Sequence, residues 1–278
     1  MTRERIGEYC NDLKDVYDRF GLDKYPSRIW NMDETGINLS HKPSKVIAVK
    51  GSKTVQGKAS ISRETITVIA CGNAAGNSIP PQFIIQGKTT KKLHGFYMES
   101  CREKDSPLYG SQFSVSDSGW TKDGIGRLWF KEHFLPNIGD ARPQLLIFDG
   151  HGSHNNIEFI QIARKENIIL GELPSHTSHW TQPFDRSVFK SLKSRWNQEV
   201  DQFVKETGVS LGHTSFLRVF GKAWQASITT SNISSGFRAT GIYPFNHNVI
   251  PDIAFKPSDE QASSSTDTIQ TSSSTDTI

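Results

Sequence analysis

Residues 142–174 read RPQLLIFDGHGSHNNIEFIQIARKENIILGELP, and this stretch decides the fold class. The short apolar run that ends at Asp149 predicts a central strand, covered on both faces of a sheet. Apolar residues recur at helical spacing through 155–167, and IILGELP predicts a second buried strand. A strand, a helix and a strand in this order predict a right-handed crossover between two parallel strands.

Upstream of this unit, strand-like patterns predict an antiparallel meander of three strands. SRIWNMDETGINL (27–39), KVIAVKG (45–51) and ETITVIACGNAAG (64–76) each carry β-branched or alternating apolar residues, and the later two are closed by glycine. The polar, turn-rich stretch at 88–119 is expected to be an insertion or a long loop. The predicted fold is therefore α/β, a mixed sheet of an antiparallel meander plus parallel strands, with helices on both faces.

Helical patterns complete the domain organisation. Residues 1–25 predict a lead-in helix that stops at Gly21, and 121–138, 185–203 and 215–227 predict further helices, the last two as a C-terminal extension of a main domain at 26–250. The Ser/Thr-rich tail at 257–278 contains SSSTDTI twice and is expected to be disordered.

Composition excludes several classes of protein. The hydrophobic fraction of 35% suits a folded domain, and the net charge of +3 neither requires nor excludes a nucleic-acid partner. Three widely separated cysteines without a CxxC spacing argue against a disulfide framework and indicate a reducing compartment. No apolar signal sequence or membrane-length stretch is present, so no membrane association is expected.

Three aspartates are the candidate catalytic residues. Asp149 ends the predicted central strand, and Asp33 is interpreted as ending the first strand of the meander. If these strands are neighbours, the two carboxylates lie side by side and repel unless a cation lies between them. Oxygen ligands favour Mg²⁺ or Mn²⁺, two of which can cleave a phosphodiester, and Asp185 at the start of a predicted helix supplies a third carboxylate.

Each aspartate also has an ordinary structural explanation. Asp149 before Gly150 and Asp33 before Thr35 and Gly36 are common turn sequences, and Asp185 is a plausible helix N-cap. Their shared position at element ends favours the catalytic interpretation.

Four motifs in order carry a family resemblance. RIWNMDETG (28–36), LLIFDGHGSH (145–154), LPSHTSHWTQPFDRSVF (173–189) and SSGFRATGIYPFN (234–246) resemble the DDE superfamily endonuclease domain of pogo, Tigger and jerky-type transposases and their domesticated relatives. The likeness covers about residues 8 to 250, with Phe184 where the family usually has leucine and Ser175 where it often has proline.

The resemblance implies an RNase H-like fold and divalent-metal phosphodiester chemistry, carried over onto Asp33, Asp149 and Asp185 as catalytic residues and ligands of two Mg²⁺ or Mn²⁺ ions. It implies DNA as the partner and the nucleus as the location, with the cytosol as the alternative. The sequence does not decide between a monomer and a homo-oligomer.

The family's helix-turn-helix modules have no counterpart in the 32 residues before Asp33. We therefore expect a fragment, or a catalytic domain without its sequence reader. The alternative function is a domesticated or decayed nuclear protein that binds DNA or a partner without catalysis.

Two HxxH pairs, His151 with His154 and His176 with His179, lie close to the acids and make a zinc hydrolase a competing hypothesis. Neither pair has a clear helical context. We expect these histidines to hydrogen-bond the loops that hold the carboxylates. Ser153 beside His154 lacks a GxSxG context and is not expected to be a nucleophile.

Basic residues predict contacts to DNA phosphates rather than to bases. Two groups carry this prediction: Lys42, Lys45, Lys50, Lys53, Lys58 and Arg63 in the meander, and Lys190, Lys193 and Arg195 on the helix after Asp185. The alternative for both groups is an ordinary solvated basic face.

Overall fold

The computed structural model describes residues 1–39, 64–150 and 157–255. Its six strands are β1 (Ile29–Asn38), β2 (Thr65–Asn73), β3 (Gln82–Gln86), β4 (Gln112–Ser116), β5 (Gln144–Asp149) and β6 (Ile168–Leu173). Its helices are α1 (Arg3–Phe20), α2 (Asp123–Leu128), α3 (Leu135–Asn137), α4 (Ile157–Lys165), α5 (Ser178–Thr181), α6 (Phe189–Thr207), α7 (His213–Ser227) and α8 (Thr230–Ala239). Within the described ranges, no helix combines the length and the apolar character that a membrane crossing requires.

The strands form one mixed sheet in the order β4-β3-β2-β1-β5-β6. Pairing is antiparallel between β1 and β2 and between β2 and β3, and parallel between β1 and β5, between β5 and β6 and between β3 and β4. A central strand that joins an antiparallel meander to a parallel βαβ unit is the predicted RNase H-like arrangement, which is confirmed.

Successive side chains along β1 and β5 pack alternately into two hydrophobic cores, one on each face of the sheet. On β5, Leu145 and Ile147 belong to the core that also contains residues of α1, α6, α7 and α8. Leu146 and Phe148 belong to the opposite core, beneath α4 and the helical segment that joins α2 to α3. The prediction of a strand covered on both faces is therefore confirmed, since successive side chains of a strand point to opposite faces.

The meander differs from the prediction in two ways. KVIAVKG (45–51) lies outside the described residues, and β1 pairs directly with β2. The third strand is β3, which follows Pro80 and Pro81 and was not predicted.

The interpretation of 88–119 as a loop was wrong for Gln112–Ser116. These residues form β4, paired in parallel with β3 at the edge of the sheet. Their side chains are mostly half-buried, as expected at an edge, so the sequence lacks the apolar run that identifies a central strand.

Helix α1 is anchored to the C-terminal motif at 234–246. The buried Tyr17 hydroxyl donates to Ile242 O at 2.8 Å, and the Tyr17 ring meets the edge of Phe245 with centroids 6.0 Å apart. Burial is also the main cause that raises the pKa of Tyr17. The lead-in helix is therefore an integral part of the domain.

Replacing Tyr17 by phenylalanine leaves Ile242 O without this donor, so we expect the free energy of unfolding to fall by about 1 kcal/mol. Urea denaturation of the two proteins measures the difference. Tyr25→Phe is the control, because the Tyr25 side chain is 45% exposed and its loss of a hydroxyl should change little. Equal stabilities for all three proteins would contradict the anchoring role.

Candidate active site

Asp33 and Asp149 are placed together by the pairing of β1 with β5. This pairing runs from Ile29 opposite Leu145 to Asn31 opposite Ile147. Continued by two residues, the same register sets Asp33 beside Asp149. Both acids share the alternation of Ile29 and Ile147, which belong to the core on the α6 side. The two carboxylates therefore lie on one face, where the strands cease to pair.

The prediction that Asp33 ends its strand was wrong. Asp33 is the fifth residue of the ten in β1, and Glu34 to Asn38 continue in antiparallel pairing with β2. The strand does not turn after Asp33, because one partner strand remains after the other has ended. This position also rules out the turn explanation for Asp33.

The Asp33 carboxylate is buried with one oxygen unsatisfied. Its Oδ1 accepts the Glu34 N–H at 2.8 Å, whereas Oδ2 has no hydrogen-bond partner among the described residues. Burial raises the pKa of Asp33 well above its usual range, and the charges of Asp185 and Asp149 raise it further. The nearby Gln182 amide and the Glu34 N–H oppose this shift in part. Gln182 Nε2 donates to Met32 O at 3.3 Å, and among the described residues Asp33 Oδ2 accepts no hydrogen bond.

Asp185 lies in a π-helical turn, Phe184–Val188, that leads directly into α6. The N-cap position of this turn is Pro183, so the N-cap explanation for Asp185 was wrong. Wide π-helical turns inside helices occur often at functional sites.

The charges of the three acids act on one another. The protein around Asp185 excludes enough water to raise the pKa of this carboxyl, although the side chain reaches solvent. Lys193 lowers the pKa of Asp185, Asp149 raises it and His179 lowers it. Asp185 and Asp149 both raise the pKa of Asp33, and Asp149 raises the pKa of Asp185, so the three carboxyls lie within range of one another's charge.

Two buried amides join the segments that carry the acids, and the sequence analysis missed both. Asn31 Nδ2 donates to Ile147 O on β5 at 3.0 Å and to Gln182 Oε1 at 3.1 Å. Asn31 Oδ1 accepts the Phe184 N–H at 3.4 Å, from the residue before Asp185. Asn31 and Gln182 are each 0% exposed. The signal was a polar residue within the apolar run IWNM, two positions before Asp33 on the same face.

Helix α8 supports the π-helical turn from outside. A Cβ on Gly236 would lie 2.3 Å from Pro183 O and 2.7 Å from Ser187 Oγ, so only glycine permits this approach. Ser187 Oγ also donates to Asn232 O at 2.7 Å. The glycine of the motif SSGFRATGIYPFN therefore fixes α8 against the turn that carries Asp185.

The acids offer ligands of the type that a hard divalent cation prefers. They supply only oxygen atoms, and Asp33 Oδ2 is a buried acceptor without a partner among the described residues. Across the same residues, no group of three or more His, Cys, Asp or Glu side chains is arranged to hold an ion. Mg²⁺ commonly binds through one or two carboxylates, with water and substrate phosphate completing its shell, and the residues fit that mode.

The histidines are only partly described. His176 and His179 are both exposed. His179 lowers the pKa of Asp185, and His176 has a left-handed φ of 62°. His151 and His154 lie outside the described residues, as does Ser153. The supporting role predicted for the four histidines remains a prediction.

The basic residues divide in the same way. Lys42, Lys45, Lys50, Lys53, Lys58 and Arg63 lie outside the described residues, so the meander patch remains a prediction. Lys190, Lys193 and Arg195 are exposed on α6, and Lys193 is near enough to lower the pKa of Asp185. Of the two predicted basic surfaces, the one on α6 therefore begins near Asp185 and continues along the helix.

A family model described as DDE superfamily endonuclease matches residues 63–237. The match covers more than half of the chain, so the chain belongs to the DDE superfamily endonucleases. Asp149 and Asp185 lie inside the matched region, and Asp33 precedes it. The resemblance that the four motifs indicated is confirmed.

A curated relative extends this similarity beyond the matched region. The chain is 32% identical over 233 residues to a protein of Cochliobolus lunatus named MFS-type transporter clz9. The similar region covers 80% of this chain and 24% of that protein. The chain thus spans about a quarter of the relative's length, and the name of the relative gives no activity for this chain.

Solved transposase structures are also similar to the chain. The mariner Mos1 paired-end complex with Mg is 10% identical, with a TM-score of 0.48, over 88% of this chain and 63% of that one. The catalytic domain of Mos1 mariner transposase is 11% identical, with a TM-score of 0.38, over 84% of this chain and 94% of that one.

Proposed function

We propose that this chain is a DNA strand-cleaving or strand-transferring domain that works with two divalent ions, Mg²⁺ or Mn²⁺. The observation that carries the proposal is the buried, unsatisfied Asp33 Oδ2 within the charge field of two further carboxylates. A structural acid would be hydrogen-bonded or neutralised by a cation, whereas a ligand needs an oxygen left free. Membership of the DDE superfamily endonucleases supports the same chemistry.

Each residue has a defined role in this proposal. Asp33 and Asp149 would hold one ion between them, and Asp185 would complete the site of the second. The bound ions would supply activation of the attacking oxygen and stabilisation of the leaving oxygen. Asn31 and Gln182 keep the two strands and the Asp185 turn in register. Lys190 and Lys193 would contact phosphates of the bound strand.

The setting follows from the substrate. DNA is the proposed partner, and the nucleus is the proposed location. The oligomeric state stays undecided between a monomer and a homo-oligomer, and the absence of membrane association stays a prediction.

Calorimetric titration of Mn²⁺ in the presence of a short DNA duplex tests this function. We expect binding by the unaltered protein and loss of that binding in Asp149→Asn, because the mutant lacks one ion ligand. Asp12→Asn is the matched control: it removes the same charge from an exposed position on α1 and should bind as the unaltered protein does. Equal or absent binding in all three proteins would reject the metal site and favour a non-catalytic DNA- or partner-binding module.

A further inference from the structure

Trp180, which is half-buried, and the exposed Arg186 form a pair beside the acids that neither the fold nor the proposed chemistry uses. The Arg186 guanidinium lies over the Trp180 ring, 4.9 Å from the ring centroid. The centroids of the His179 and Trp180 rings are 5.7 Å apart. Within the described residues, Trp180 packs into neither hydrophobic core. A half-buried indole outside the cores leaves part of its flat ring available to a ligand.

The turn that carries Trp180 is held firmly. Thr177 and Thr181 are buried, and their hydroxyl oxygens lie 2.8 Å apart. The backbone N–H of Trp180 donates to Thr177 O at 2.7 Å. Gln182, two residues after the indole, is part of the buried amide network. The indole is therefore presented at a fixed position relative to Asp185, and binding there costs little ordering of the protein.

Arg186 adds a positive charge that the described residues do not neutralise. Among them, no carboxylate forms an ion pair with the Arg186 guanidinium. Its Nη1 donates a hydrogen bond to His179 O at 3.4 Å. Lys190 and Lys193 follow Arg186 by four and seven residues and are exposed. The rise along the helix places these three cations within about 10 Å of one another along its axis. That distance corresponds to about three phosphates of one DNA strand.

We propose that Trp180 and Arg186 form a subsite for an unpaired nucleotide next to the scissile phosphate. The base stacks on the indole and guanidinium, and the phosphates that follow it run along Arg186, Lys190 and Lys193. Aromatic rings and guanidinium planes both stack on unpaired bases without regard to sequence. A paired base inside a duplex cannot reach such a site, so the subsite selects an end or an opened strand. This inference rests on the proposed function and names the form of DNA that the site takes.

Fluorescence anisotropy in EDTA tests the subsite without cleavage. The probes are a labelled blunt duplex, the same duplex with a four-thymidine 3′ overhang, and the same overhang made of abasic nucleotides. We expect the unaltered protein to bind the thymidine overhang more tightly than the other two probes. Trp180→Ala should weaken binding to the thymidine overhang by at least about fivefold and leave the other two affinities unchanged. Trp180→Phe should retain the preference.

Two further variants sharpen the result. Arg186→Gln should weaken binding to every probe and reduce the salt dependence by about one phosphate contact. Trp120→Ala is the matched control, because Trp120 is 53% exposed but lies beside Gly36, on the opposite face of β1 from Asp33. Its affinities should equal those of the unaltered protein.

The outcomes separate the two proposals. Equal binding of thymidine and abasic overhangs by the unaltered protein overturns the subsite, and this comparison requires no variant to fold. An equal loss on all probes in Trp180→Ala also overturns it, since that pattern reports general damage. Failure of the unaltered protein to bind any probe overturns the proposed DNA function as well. The Mn²⁺ titration is judged independently of all three results.

Discussion

Replacing Asp33 by asparagine is expected to raise the thermal stability of the protein at pH 7 while removing the divalent-ion-dependent DNA cleavage proposed for it. The substitution keeps the shape of the side chain and removes a buried charge that two other acids repel. Removal of this buried, repelled charge should raise the free energy of unfolding by about 1–3 kcal/mol. For a chain of this size, that corresponds to a rise in Tm of roughly 2–5 °C.

The sign of the pH dependence follows from the raised pKa of Asp33. As pH rises above about 4, the unfolded chain loses this proton first, because an exposed aspartate has its ordinary pKa. The folded protein keeps the proton until its own, higher pKa is passed, so stability falls across that window and remains lower above it. The asparagine variant lacks this loss. Its advantage should therefore be absent below about pH 3 and should grow as pH rises from about 4.

Two measurements check the opposing effects. Thermal melts between pH 3 and pH 8 report stability, and nicking of a supercoiled plasmid with Mn²⁺ reports cleavage without a known target sequence. Loss of one electrostatic contributor to a transition state costs about 10²- to 10³-fold, and we expect at least that loss. Addition of Mn²⁺ should raise the Tm of the unaltered protein and not that of the variant, because only the former binds the ion. A less stable variant at pH 7 would contradict the repulsion described for Asp33.

The second large effect is expected at Asn31. Replacement by leucine removes the donor to Ile147 O and to Gln182 Oε1 and the acceptor of the Phe184 N–H, all in a buried region. Leaving these groups unsatisfied should lower the free energy of unfolding by about 2–4 kcal/mol. Supporting residues around a metal site typically change activity 10- to 100-fold, so cleavage per folded molecule should fall by about that factor.

Gln144 provides a matched control for Asn31. Gln144 is also 0% exposed. Its Oε1 accepts the Trp30 Nε1–H at 2.6 Å, and its Nε2 donates to the carbonyls of Ile138 and Ala141. Gln144 lies at the opposite end of β5 from Asp149. Gln144→Leu should lose similar stability and keep its cleavage rate per folded molecule. If both variants lose cleavage equally, Asn31 supports the fold and has no particular effect on the acids.

The strongest sequence signals concerned the segments nearest the site. The unit from Gln144 to Leu173 was predicted as strand, helix and strand, because its apolar runs are long and its boundaries are clear. The sequence also predicts all three acids as site residues, and their catalytic role stays a prediction. Strands β3 and β4 were not predicted, since each has five residues and β4 is only half-buried.

The remainder depends on contacts between distant parts of the chain. Asn31 and Gln182 are 151 residues apart, and neither position alone indicates that their amides meet. The position of Asp33 within β1 follows from where β5 stops pairing, which depends on two strands at once. Local sequence patterns predict individual helices and strands. The site instead forms where β5 stops pairing with β1 while β1 continues along β2.

The π-helical turn at Phe184–Val188 makes the direction of Asp185 depend on chain length. An α-helix advances 100° with each residue, so one residue more or fewer in a turn rotates everything before it by that angle. Deleting a single residue here would restore ordinary helical winding and keep all three aspartates in the sequence. Asp185 would then face away from Asp33 and Asp149, so a chain can retain all three aspartates and lose the geometry through one codon.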